Sequence, residues 1–128
     1  YVISNFNENI YFINGYLNIN LIWNTGIGFG LSSSNSSIIY NLITALIAII
    51  IFVLLYTGIN FHKVDKLIFS IIIGGAVGNL YDRLVYNAVP DFIDLHYNNF
   101  HWFIFNVADI FITLGIIFFI IRGFFEKN

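Results

Sequence analysis

Three long apolar runs are separated by short polar stretches along the chain. Residues 38–59 are 22 consecutive positions without a charge. As a helix rising 1.5 Å per residue they span about 33 Å, enough to cross a bilayer core. A second run, 67–85, is interrupted near its end by Asp82-Arg83, and a third, 102–121, opens on Trp102, a residue suited to the membrane interface. The pattern predicts transmembrane helices over 38–59, 67–85 and 102–121. Residues 60–66 and 86–101 read as polar loops, the second holding the only proline, Pro90.

Residues 1–37 follow a different rule. Asn recurs at 5, 7, 9, 14, 18, 20 and 24, which disfavours helix and bilayer alike. Over 15–23, Tyr16, Asn18 and Asn20 alternate with Leu17, Ile19 and Leu21, the period-2 mark of a half-buried strand. Tyr11, Phe12 and Ile13 read as a second short strand, with Asn14-Gly15 as the turn signal between the two. Gly26, Gly28 and Gly30 suggest a tight, backbone-exposed loop, and the serines over 32–37 offer N-caps for the first long helix. The fold expected is one α-helical integral membrane domain over 1–128, with three transmembrane helices and a small extracytoplasmic antiparallel β-sheet in about the first 37 residues.

Each helix carries a less apolar face. Asn41, Thr44, Ala45 and Ala48 form a small stripe on the first, expected to pack on another helix. Gly74 and Gly78 on the second have small-xxx-small spacing, repeated one step round by Gly75 and Asn79, and both rows lead to Asp82 and Arg83. Asn106, Asp109 and Thr113 make one polar stripe on the third.

Composition agrees with the bilayer as solvent. Hydrophobic residues make up 59% of the 128 and charged residues 9%, too few charges to cover a small soluble domain. With no Cys there is no disulfide framework and no thiolate site; with five Lys+Arg and a net charge of −2 there is no basic patch for nucleic acid. No HExxH, GxSxG or Walker-type loop is present, and no cofactor or metal is assigned. Lys63 and Lys66 lie in one loop, Arg122 and Lys127 in the tail. The positive-inside rule makes that side cytoplasmic and places the strands and the 86–101 loop outside. A fourth helix before Tyr1 is then expected, in keeping with the absence of any Met.

Chemistry points first to Asp109. On the predicted third span it lies seven residues past Trp102, roughly 10 Å below the interface, and a carboxylate in a membrane is a functional hypothesis by default. Its candidate partners at the same outer end are Asp82, Asp91 and Asp94. Asp82 is adequately explained by an interfacial salt bridge to Arg83, and Asp94 reads as a solvated loop residue. Two nearby carboxylates in low dielectric share a proton, so that one becomes a base and the other an acid. His96 and His101, five apart in a loop, make only a weak metal constellation with Asp91 or Asp94. Asn24, Asn79 and Asn106 are amides at the same level, fit to cap backbone or to hold a substrate's amides.

Four segments resemble one known family. Asn24-Thr25-Gly26-Ile27-Gly28-Phe29 is similar to the Asn-x-Gly-x-x-Phe motif of the lipoprotein signal peptidases (signal peptidase II). The segment Gly74-Gly75-Ala76-Val77-Gly78-Asn79-Leu80-Tyr81-Asp82-Arg83 resembles their third-helix motif. Val89-Pro90-Asp91-Phe92 resembles their Val-x-Asp-Phe, and Phe105-Asn106-Val107-Ala108-Asp109 their Phe-Asn-x-Ala-Asp. Their order and spacing together are far more specific than any one alone. The resemblance implies a four-helix aspartyl endopeptidase of the bacterial cytoplasmic (inner) membrane. It would cut the signal peptide of a prolipoprotein just before the diacylglyceryl-modified Cys, with its active site at the extracytoplasmic face. By carry-over Asp91 and Asp109 are the catalytic pair; Asn24, Asn79, Arg83 and Asn106 hold substrate or shape the site; Gly26 and Asp82 support it. The partners implied are lipid-modified prolipoprotein and membrane lipids, with the enzyme expected as a monomer. The family's first helix has no counterpart over 1–128, which agrees with the topology count. The rival reading is a non-enzymatic helical membrane module, a transporter or assembly subunit in which the Asp stripe relays protons or ions. Acids clustered at one end argue against a relay.

Overall fold

The computed structural model describes residues 1–6, 9–26 and 37–125. Gly28, Gly30 and the serines at 32–36, together with Lys127, lie outside the described residues. In chain order the elements are α1 (Val2–Asn5), β1 (Tyr11–Asn14), β2 (Leu17–Asn24), α2 (Ser37–Gly58), α3 (Lys63–Tyr86), β3 (Val89–Tyr97), β4 (Phe100–Phe105) and α4 (Val107–Phe125). Three of the helices, at Ile38–Gly58, Lys63–Tyr86 and Val107–Phe125, are long and apolar enough to cross a membrane, with mean hydropathies of 2.9, 1.4 and 2.1. Their apolar side chains are largely exposed, as expected where lipid is the solvent.

Contacts divide the chain into two units, Tyr1–Ile43 with Asp82–Asn106, and Thr44–Tyr81 with Val107–Asn128. The first holds an antiparallel four-stranded sheet in the order β1-β2-β3-β4. The expected hairpin forms at its start. Asn14 Oδ1 accepts hydrogen bonds from the backbone N–H of Tyr16 (2.9 Å) and Leu17 (3.0 Å), an Asx turn that sets the β1–β2 register. The sheet is twice as large as expected, because the stretch read as a loop over 86–101 is the β3–β4 hairpin. Its two-residue turn is Asn98-Asn99, and Asn98 takes φ 53°, a conformation Asn tolerates. Pro90 sits within β3 without cost to the ladder. Pairing with β4 begins only at Ile93, so at Pro90 the strand has a neighbour on one side alone.

The same hairpin moves a helix boundary. Residues 102–105 belong to β4, and α4 starts at Val107, five residues later than the apolar run suggests. A short apolar run reads equally as strand or buried helix, and here cross-strand pairing decides. Helix α3 starts earlier than expected, at Lys63, with Asp65 in its first turn, where a carboxylate meets the positive end of the helix dipole. It ends in a left-handed cap, Asn87 at φ 55°, whose N–H bonds to the Arg83 carbonyl (3.1 Å).

In the second unit, α3 and α4 pack through glycines. A Cβ on Gly75 would lie 2.7 Å from the Ala108 carbonyl oxygen and 2.8 Å from Ile112 Cγ1. On α4, Gly115 is buried against Ile72 and the Ile68 carbonyl. Small residues on both helices thus let the backbones approach. Further along, Phe69 packs edge-on against Phe61 (4.6 Å between centroids) and Phe119 (4.9 Å). Arg122 Nε and Asp65 Oδ1 form an ion pair at 2.7 Å. The small stripe expected on α2 is not its packed face: Thr44 is buried, but Asn41, Ala45 and Ala48 are exposed. The less exposed row runs through Ile43, Thr44, Ile47, Ile51 and Leu54.

Candidate active site

Asp91 is 4% exposed. It stands on β3, two residues after Val89, which faces Asn24 across the ladder. Residues two apart share a strand face, so the register brings Asn24 beside Asp91. Asn24 Nδ2 donates to Asp91 Oδ2 at 2.9 Å, and Asn106 Nδ2 donates to Asp91 Oδ1 at 2.7 Å. Each oxygen thus has an amide donor, one from the end of β2 and one from the residue between β4 and α4. Asn24 is itself fixed, its Oδ1 accepting from the Gly26 N–H at 2.9 Å. A carboxylate oriented in this way is a base of defined direction.

Arg83 lies in the same unit, in the last turn of α3, and is 6% exposed. Its Nη2 donates to the Gly26 carbonyl at 3.0 Å, while its own carbonyl accepts from Tyr40 Oη at 2.9 Å. Asn24, Gly26, Arg83, Asp91 and Asn106 thus form one connected polar group. The expected Asp82–Arg83 salt bridge is not among the ion pairs of the described residues, which are Asp94–His101 and Asp65–Arg122. Adjacent side chains on a helix diverge by about 100°, so the two do not face each other. Asp82 is half-buried instead.

In the other unit, Asn79 Nδ2 donates to Asp109 Oδ1 at 2.8 Å, from α3 to α4. With α4 starting at Val107, Asp109 falls in its first turn and not 10 Å into a span. Unpaired N–H groups and the positive end of the helix dipole favour a carboxylate there. Asn106 therefore lies before the helix, and the expected Asn106–Asp109–Thr113 stripe keeps only its last two members on α4.

Asp94 is the clearest reversal. Expected as a solvated loop residue, it is 1% exposed. Asn18 Nδ2 donates to its Oδ2 at 3.3 Å, and His101 Nδ1 lies 3.0 Å from both its oxygens. Asp94 and His96 alternate with Ile93, Leu95 and Tyr97, a period-2 signal for a strand, and Asn98-Asn99 is its turn punctuation. The Tyr40 contact, from within an apolar run, carries no sequence signal.

Comparison with known proteins points one way. The profile of the family Signal peptidase (SPase) II matches residues 1–125. The lipoprotein signal peptidase of Pelagibacter ubique is 52% identical over 117 residues, covering 91% of this chain and 70% of that protein. That of Anaplasma phagocytophilum is 44% identical over 108 residues, 82% of this chain and 67% of that protein. A solved bacterial membrane enzyme matches at a TM-score of 0.77 and 26% identity, over 99% of this chain and 79% of its own. A second such structure matches at 0.75. With the profile spanning nearly every residue, and half of all positions shared with a relative over most of its length, this chain belongs to the signal peptidase II family.

Proposed function

We propose that this membrane protease removes the signal peptide of prolipoproteins by aspartyl chemistry, with Asp91 and Asp109 as its catalytic pair. The observation that carries the reading is that both carboxylates of the proposed pair are held by motif amides: Asp91 by Asn24 and Asn106, Asp109 by Asn79. One Asp is ionised and takes a proton from water as the oxygen attacks the scissile carbonyl carbon. The other is protonated and hydrogen-bonds the carbonyl oxygen, which gains charge as the tetrahedral intermediate forms. When the C–N bond breaks, the proton taken from water passes to the leaving amine. Cleavage falls just before the diacylglyceryl-modified Cys, at the extracytoplasmic face of the bacterial inner membrane. Arg83 and the asparagines hold substrate or shape the site; Gly26 and Asp82 support them.

The test is a gel-shift cleavage assay in detergent, on one prolipoprotein with and without its diacylglyceryl group. Asp91→Asn and Asp109→Asn are nearly isosteric and should each abolish cleavage of the lipidated form while the protein stays folded. Substantial turnover in either variant removes that residue from the pair.

A further inference from the structure

We infer that Asp94, His96 and His101 form a binding site for a divalent d-block cation of the zinc type, held across the β3–β4 hairpin. Topology brings the three together. In the β3–β4 pairing Asp94 faces Ile104 and His96 faces His101, so the extra residue of the bulge lies in β4 and β3 keeps its alternation. Asp94 and His96, two apart, therefore project from one face, and His101 joins them from directly across the ladder. The two imidazoles stack with centroids 5.2 Å apart and 22° between planes. One donor atom from each of the three residues falls within 4.8 Å of the others. Tetrahedral zinc with bonds of about 2.0–2.1 Å sets its donors roughly 3.4 Å apart, so closure needs side-chain movements of only about 1 Å.

The donor set selects the ion. Two imidazoles and a carboxylate suit zinc, cobalt, nickel or copper, whereas calcium and magnesium take oxygen ligands. The cluster is also incompletely satisfied. Nδ1 of His96 and Oδ1 of Asn18 are buried without hydrogen-bond partners, and Asn18 touches Asp94 through its amide nitrogen. A cation on His96 would give a buried ring nitrogen a partner. His101, with its side chain 51% exposed, gives the ion a way in. Asp91 is three residues from Asp94 on an alternating strand, so the two carboxylates project from opposite faces of β3 and the cation site is separate from the proposed peptidase residues.

The experiment uses the full-length protein in detergent, made without a polyhistidine tag and stripped with a chelator. Cobalt(II) is titrated by visible absorption, followed by competition with zinc(II) and thermal unfolding with and without zinc. One cobalt per chain should bind with the absorption of a four-coordinate site, zinc should displace it, and zinc should raise the unfolding midpoint. His101→Ala and His96→Ala should each weaken binding by about tenfold or more. His62→Ala, an exposed histidine outside the cluster, should change nothing. Absence of saturable one-to-one binding overturns the site, as does undiminished binding in His101→Ala. His101→Ala also takes a 3.0 Å partner from the buried Asp94 carboxylate, so its metal-free midpoint should fall, and zinc should fail to raise it from that new value. Peptidase activity is not a readout here, so either result leaves the proposed reaction untouched.

Discussion

Asn79, on α3, holds Asp109, on α4, by a 2.8 Å hydrogen bond between an amide donor and a carboxylate oxygen. The glycine face of α3 leads to that bond: Gly75 lies one turn before Asn79 and meets α4 backbone-to-backbone at Ala108, the residue before Asp109. Close helix approach and carboxylate orientation are therefore parts of one arrangement.

Asn79→Ala should lower kcat for prolipoprotein cleavage about ten- to a hundredfold, since a hydrogen bond to a charged group contributes about 1.5–3 kcal/mol. If Asn79 only positions Asp109, KM should stay near the parent value. Steady-state cleavage rates separate the two parameters. A fall in affinity with kcat intact would make Asn79 a substrate contact instead.

Asn24→Ala and Asn106→Ala each remove one donor from a buried carboxylate. Each should destabilise the protein by about 1.5–3 kcal/mol, read as a lower thermal midpoint in detergent. Because both act on Asp91, their effects should not add in the double variant. Simple additivity would show that the two amides act on Asp91 independently of each other.

Glycine substitutions on α3 should differ sharply over one position. Gly75→Ala places a methyl against the Ala108 carbonyl, which is backbone and cannot rotate away, and should cost about 1–3 kcal/mol. Gly74→Ala meets nothing within 4 Å and should be neutral or stabilising by up to about 1 kcal/mol from helix propensity. Thermal unfolding of the pair settles the comparison; equal effects would mean that the Gly75 contact is not tight.

Asp65→Asn should lower the midpoint modestly, by roughly 1 kcal/mol, since its partner Arg122 is only partly buried and solvent screens such pairs. A double-mutant cycle with Arg122→Gln measures the coupling. A coupling of zero would assign the role of Asp65 to the N-terminus of α3 alone.

Much of this arrangement is legible in residue order because the bilayer imposes a strong pattern. A charge-free run marks α2, an apolar run broken only by Asp109 marks α4, and glycine spacing marks the contact face of α3. The first hairpin is visible because Asn14-Gly15 punctuates two alternating runs. The second is hidden because its residues carry a conflicting signal. The run over 102–105 is apolar enough to extend a membrane helix, and only pairing with β3 shows it as strand. Those five residues shift Asp109 from the middle of the apolar run to the first turn of α4. Asp94 reads as solvated for a related reason: a carboxylate among polar neighbours shows no sign of burial unless the strand that buries it is seen. The asparagines at 24, 79 and 106 were found as a class, but which carboxylate each one holds depends on register, which period alone does not determine.

Strand β3 works as a two-letter reading frame. Odd-numbered positions, Val89, Asp91 and Ile93, face one way; even-numbered positions, Phe92, Asp94 and His96, face the other. Insertion of one residue between Ile93 and Asp94 would transpose the second half of that message, carrying Asp94 and His96 to the Asp91 face, while insertion of two would restore it. The hairpin is thus a segment in which length, independent of composition, is under constraint.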